Sequence, residues 1–300
     1  MADNNTSILI DPDEDVAHTR TLLHEAIPIT GSIVSGTYSE LNIKDYSHGM
    51  FQSVYDYPYL SSSANHVFDI TFGYAASSAL SKSVHTQNSK KINIYNQMAQ
   101  VLYGYDNNGA IKLFDADGDL VGTTTDKMRE CIFLTFSRLV MKDEIKKGSF
   151  KLELGVSGTL SYNKGTHMHR ITLKDTGADT SYKVNSPVGE YGILIADTIA
   201  ATGSTSSPAN LLTKDTGILS TGQKAGLIFY QAGVAVITAS VFLDAADGGI
   251  LLDSVGSSVM VGAHNATHML CSSSIADSAK ALRNRIYDLS FNNTVELNST

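Results

Sequence analysis

The clearest hydrophobic pattern along the chain runs from Thr125 to Leu154. Met128, Ile132, Phe136, Leu139 and Val140 recur at steps of three and four, which places them on one face of a helix. Thr125 or Asp126 suits the N-cap, because either side-chain oxygen can accept an orphan backbone N–H. Lys146 and Lys147 fall where cations suit the negative end of the helix dipole. Gly148 can close the helix in a left-handed conformation. The spacing therefore predicts a central helix over Thr125–Lys147. Phe150, Leu152 and Leu154 then alternate with Lys151 and Glu153, which is strand periodicity.

Residues 1–20 are acidic and polar and read as an extended arm, ordered only against a neighbouring chain. Leu22 to Ile29 is a short helix or strand interrupted at Pro28. Tyr46, Tyr55, Tyr57 and Tyr59 crowd a short region around Pro58. Such a cluster is either a Tyr-rich packed loop or a contact surface, since tyrosine joins a rigid apolar ring to a polar tip. His66 to Tyr74 is a strand candidate, and Ile94, Met98, Val101 and Leu102 predict a helix ending near Gly104. Asn107-Asn108-Gly109 and Asp117-Gly118 are tight-turn signals on either side of Ala110 to Phe114.

Beyond Leu154 the chain reads as short strands to about residue 243. The candidates are Thr159 to Tyr162, Met168 to Leu173, Tyr182 to Val184, Gly192 to Ala196, Gly226 to Gln231 and Val234 to Leu243. The phrase Lys174-Asp175-Thr176-Gly177 recurs at Lys214 to Gly217, and reads as chance reuse of a turn. A final helix is expected over Ser278 to Leu289, with Ala279, Leu282, Ile286 and Leu289 on one face. Val295 and Leu297 alternate with polar neighbours, as in a strand that continues past Thr300 or pairs with another subunit.

Composition narrows the function classes. The 300-residue chain is 42% hydrophobic but only 17% charged, with Ser, Thr, Asn and Gly in place of ionic groups. A net charge of −8 leaves no excess of Lys and Arg to neutralise phosphates, which argues against nucleic acid or an anionic membrane as the main partner. Ser7 to Ile10 is too short for a signal-peptide core, and no apolar run reaches the roughly 18 residues of a membrane span. Cys131 and Cys271 are too few for a disulfide framework and read as small hydrophobes in a reducing cytoplasm.

Candidate chemistry is sparse. Asp115, Asp117 and Asp119 alternate as in a calcium loop, but Leu120 holds the place where glycine is wanted and Asp126 the place of glutamate. They read as an acidic hairpin tip that binds no metal tightly. His167 and His169 share a strand face, and His264 and His268 have i, i+4 spacing without the glutamate of a zinc-protease motif. Gly155-Val156-Ser157-Gly158 falls one glycine position short of a nucleophile elbow, and no phosphate-binding glycine loop is present. No catalytic, cofactor-binding or metal residue is assigned. Tyr46, Tyr55, Tyr57 and Tyr59 stand as the candidate interface.

Several longer phrases carry a resemblance. They are Tyr55 to Tyr74, Ile94 to Gly104, Phe133 to Phe150, Leu227 to Thr238 and Arg285 to Thr300. Together they resemble virion structural proteins of large marine tailed bacteriophages. The likeness covers most of the chain but rests on whole phrases, so no functional residue follows from it. It implies a particle component in which the last phrase is followed by more chain.

The expected fold is strand-dominated α+β. It has antiparallel sheets, one central amphipathic helix and one or two further helices. The expected divisions are an arm over 1–20, an α+β domain over 21–154 and a β-rich domain over 155–300. The expected function is a non-enzymatic virion component, in the tail or baseplate, that contacts copies of itself and other virion proteins. It would be assembled in the host cytoplasm, without cofactor, nucleic acid or membrane. The alternatives are a capsid or neck component, or a particle-borne receptor-binding or glycan-cleaving protein. The absence of Trp weighs against sugar binding, since sugars stack on aromatic faces.

Overall fold

A computed structural model describes residues 19–28, 40–120, 127–158, 167–201, 223–242, 270–283 and 285–299. Residues 1–18, Thr159 to Tyr162, the loop Thr202 to Ala209 and the second Lys-Asp-Thr-Gly phrase lie outside the described residues. The described chain is strand-dominated, as its sequence predicts. In order, its strands are β1 (Thr19–Pro28), β2 (Ile43–Asp45), β3 (Gln52–Tyr55), β4 (His66–Tyr74), β5 (Phe114–Asp115), β6 (Lys127–Met128), β7 (Glu130–Phe136), β8 (Glu144–Ile145), β9 (Lys151–Gly158), β10 (His167–Lys174), β11 (Lys183–Ser186), β12 (Gly189–Ala201), β13 (Lys224–Phe229), β14 (Val234–Thr238) and β15 (Ile286–Ser299). Helix α1 (Asn88–Leu102) follows β4. The single turns α2 (Arg138–Met141) and α3 (Ala178–Ser181) precede β8 and β11, and α4 (Ile275–Arg283) precedes β15.

Thirteen strands join one antiparallel sheet in the order β1-β15-β9-β10-β12-β13-β14-β7-β4-β3-β2, with β11 beside β12 and β8 beside β15. The short pair β5–β6 stands apart. The division expected after Leu154 falls inside β9, and the sheet runs across it. The terminal phrase does form a strand, and its described partners are this chain's own β1, with Thr19 opposite Ser299 and Pro28 opposite Ser290, and on its other edge β8, with Asn293 opposite Ile145. Thr19 and Arg20, assigned to the arm on sequence, belong to that ladder.

The central helix over Thr125–Lys147 is not formed. Its place is taken by β6, β7, the single turn α2 and β8. The reason is visible in the pattern itself. A step of four is even, so Ile132 and Phe136 share a strand face as readily as a helix face. β7 lies between β14 and β4, and Cys131 to Leu134 are buried on both faces. Burying a large apolar side chain contributes about 1.5–3 kcal/mol, whereas intrinsic helix preferences differ by at most about 0.7 kcal/mol per residue. A strand that buries both faces therefore wins over a helix that buries one. Leu139, expected on the buried face, is 77% exposed on α2. The final helix is corrected too. It ends at Arg283, and Ile286 and Leu289 lie on β15. A register shift between Ile286 and Asp288 lets residues three apart both be buried.

The sheet curls over so that strands distant in its order meet. The Phe136 ring on β7 lies 5.0 Å from Phe291 on β15 and 6.1 Å from Phe150 at the entry to β9. Ile70, Ile132, Leu134 and Ile237 line one small void with Leu152, Leu154, Leu282 and Ile286. On the opposite face α1 lies on β4. Gly73 makes this possible, because a Cβ there would sit 2.5 Å from the Lys91 carbonyl oxygen and 2.8 Å from Tyr95 N. A second aromatic layer spreads from Tyr95 through Phe114 to Phe133, with centroids 5.4 and 5.8 Å apart. Among the described residues no helix is long and apolar enough to cross a membrane.

Candidate functional site

The tyrosine region folds at the free end of the sheet, on β2, β3 and the loop between β3 and β4. Three of the four candidate tyrosines come together. The Tyr46 ring stacks on His48 at 5.0 Å and tilts against Phe51 at 4.9 Å, with Lys44 Nζ 4.9 Å from its centroid. Tyr55 lies 5.5 Å from the His66 ring and 6.2 Å from Tyr59. Burial holds the Tyr55 hydroxyl above the usual phenol range, and the neighbouring Tyr46 hydroxyl adds to the effect.

The fourth, Tyr57, stands out at the loop tip, 58% exposed beside Leu60 at 83%. The Tyr59 N–H donates to the Leu41 carbonyl at 2.9 Å, so Leu41, itself 60% exposed, joins the same patch. The loop that carries them is clasped at its base. Asp56 N–H donates to the Asn65 carbonyl at 3.1 Å, Asn65 N–H to Asp56 Oδ1 at 2.6 Å, and Asn65 Nδ2 to Asp56 Oδ2 at 2.8 Å. The apolar side chains are therefore displayed on a backbone already ordered, which lowers the entropy cost of contact.

Beneath the patch lies a cluster that sequence reasoning missed. Register places Ser53 opposite Asp69 across β3 and β4. Ser53 Oγ donates to Asp69 Oδ1 at 2.5 Å, His66 Nε2 lies 2.8 Å from the same oxygen, and the Tyr46 hydroxyl is 3.2 Å from Ser53 Oγ. Serine, histidine and aspartate here do not form a relay. A nucleophilic serine needs the imidazole between itself and the carboxylate, whereas here the carboxylate is the shared acceptor. The cluster stiffens the base of the patch. His66 and Asp69 are near neighbours on β4, but only the register of β3 against β4 brings Ser53 to them.

The acidic hairpin tip sits elsewhere. The side-chain oxygens of Asp115, Asp117 and Asp119 lie within 4.8 Å of one another. Asp115 is fully buried, paired with Lys127 at 2.7 Å, and burial raises its carboxyl above the usual range. Ala116, Asp117, Lys127, Arg129, Glu130 and Lys224 line part of a cleft of about 470 Å³.

The polar stretch His85 to Lys91 reads as a connection in the sequence, but its residues from Asn88 onward form the first turn of α1, and Lys91 is fully buried there. Its Nζ donates to the carbonyls of Leu270 and Ser273, and burial lowers it to about 8. A lowered lysine is a catalytic signal only where a substrate can reach it. This one is enclosed and turned on backbone carbonyls, so it acts as a latch. His167 and His169 lie on β10, but their side chains, with His264 and His268, fall outside the described residues. Cys131 is buried on β7, Cys271 is half-buried, and both are free.

Compared with known proteins, the chain matches no family model, no curated sequence and no solved structure.

Proposed function

We propose that this chain is a non-enzymatic structural component of a tailed-phage virion, placed in the tail or its baseplate and held there by subunit contacts. The observation that carries the contact reading is the clasped loop. It presents Tyr57 and Leu60, with Leu41 beside them, on an ordered backbone at the end of the sheet. Exposed apolar groups fixed in this way suit burial against a partner, and the tyrosines beneath them cost less to desolvate than lysine or glutamate would. The placement on a phage particle is supported by the phrase resemblance from Tyr55 to Thr300. The low charge of the chain is consistent with extensive burial between subunits.

The experiment is a reconstruction of purified particles that locates the chain and counts its copies. Three-fold or six-fold copies at the tail are expected. Hundreds of copies on the head would move the protein to the capsid, and its absence from particles would defeat the proposal.

A further inference from the structure

We propose that a second copy of this chain pairs with β1 edge to edge, antiparallel about a two-fold axis at Leu23, so that the sheets of two copies run on as one. The surface lies at the other end of the strand order from the aromatic patch, and the inference is independent of any place on a phage particle. β1 is ten residues long and ends the strand order, and among the described residues its one neighbour is β15. In a strand paired on one side, every second residue turns its N–H and C=O to the open side, which is a template for another strand.

The β1–β15 ladder also runs past the rest of the sheet. β15 pairs with β9 over Ile286 to Ser290 and with β8 at Asn293 and Thr294. From Val295 to Ser299 its described partner is β1 alone, opposite Thr19 to Leu23. This part is a two-stranded ribbon, and such a ribbon is marginally stable in water until further strands or a packed layer join it. Proline and repeated charge commonly block edges of this kind. Thr19 to Ile27 contains no proline, and its residues charged at neutral pH are Arg20 and Glu25.

Length and symmetry identify the occupant. A strand that fills this edge must be extended over a length close to that of β1. The other strands with one described neighbour in the large sheet, β2, β8 and β11, have three, two and four residues. β1 of a second copy is the described strand that matches. One two-fold contact satisfies both copies and closes both edges, whereas pairing of β1 with a different surface would leave an edge open for further copies. In an antiparallel ladder opposed residues are either both bonded across the pair or both turned away, so a symmetric pair sets one residue opposite itself. Centring on Leu23 uses the full span, with Thr19 opposite the partner's Ile27, Arg20 opposite the partner's Ala26 and Thr21 opposite the partner's Glu25. Like charges do not face each other in this register, and Pro28, which has no N–H to give, falls just outside it.

The test is the mass of the full chain by analytical ultracentrifugation, with thiol cross-linking to read the register. A dimer is expected, and a chain still monomeric at about 100 μM would overturn the proposal. Protected β1 amides in such a monomer, read by hydrogen exchange, would show that another part of the same chain covers the edge. Cross-linking uses a short bismaleimide in a Cys271→Ser background, since Cys131 is buried. Leu23→Cys should couple two copies readily, because opposed Cβ atoms lie about 5 Å apart. Arg20→Cys should couple far less, because its two thiols stand six residues out of step, about 20 Å. Equal coupling by both variants would also overturn the proposal. The mass of the parent stands whether or not the variants fold.

Discussion

Lys91 Nζ lies 2.6 Å from the carbonyl oxygen of Ser273, across 182 residues of chain. The bond ties α1 to the segment that leads into α4, and Phe72 lies under the ammonium group at 5.4 Å. Burial favours the neutral amine and lowers the group to about 8 from 10.5. The unfolded chain therefore holds this proton over a pH range in which the folded chain has begun to release it. Stability rises with pH wherever the unfolded state binds more protons. The difference in unfolding free energy between the parent and Lys91→Met should accordingly grow in the parent's favour from pH 8 towards 10.5. Chemical denaturation across that range measures it, and a flat difference would count against the buried, titrating lysine.

Gly73 sits under the backbone of α1, and no side chain fits there. Gly73→Ala should destabilise the protein by about 2–3 kcal/mol, because a new methyl group meets backbone rather than a movable side chain. A lower urea midpoint with an unchanged slope is the expected result. A neutral substitution would mean that α1 is not held against β4 as described.

Asp175 is fully buried and accepts three bonds. Gly148 N–H donates at 2.7 Å, Phe150 N–H at 3.0 Å and the Tyr230 hydroxyl at 3.0 Å. Asp175→Ala would strand all three donors and should cost about 3 kcal/mol or more. Tyr230→Phe removes only one bond and should cost about 1 kcal/mol. Equal losses for the two variants would refute this assignment of roles.

Leu60 and Tyr57 should behave in the opposite way. Both are largely exposed, so Leu60→Asp and Tyr57→Asp should leave stability within about 0.5 kcal/mol of the parent. If the loop is a contact surface, the same variants lose self-association or incorporation into particles. Normal assembly by both variants would remove the loop from the interface.

The sequence by itself determined the local elements whose patterns admit one reading. His66–Tyr74 is a strand with the predicted bounds, and α1 ends before Gly104, whose φ is +74°. Asn107-Asn108-Gly109 makes its turn, with Gly109 at φ +77° and Asp106 N–H bonded to the Ala110 carbonyl. The β-rich character and the alternation of Phe150, Leu152 and Leu154 were legible for the same reason: period-two burial is written directly in the residues.

Tertiary structure decided the rest. The stretch from Cys131 to Phe136 carries the spacing that predicts a helix, and its place between β14 and β4 makes it a strand instead, by burying both of its faces. The candidate tyrosines were visible as a cluster, but their division into a stacked base and an exposed tip depends on the Asp56–Asn65 clasp. The pairing of Ser53 with Asp69, and the burial of Lys91 among carbonyls almost two hundred residues away, arise from contacts between distant segments. A hydrophobic pattern records which face of an element is buried. It carries no record of which partner buries it, because many partners would bury the same face equally well.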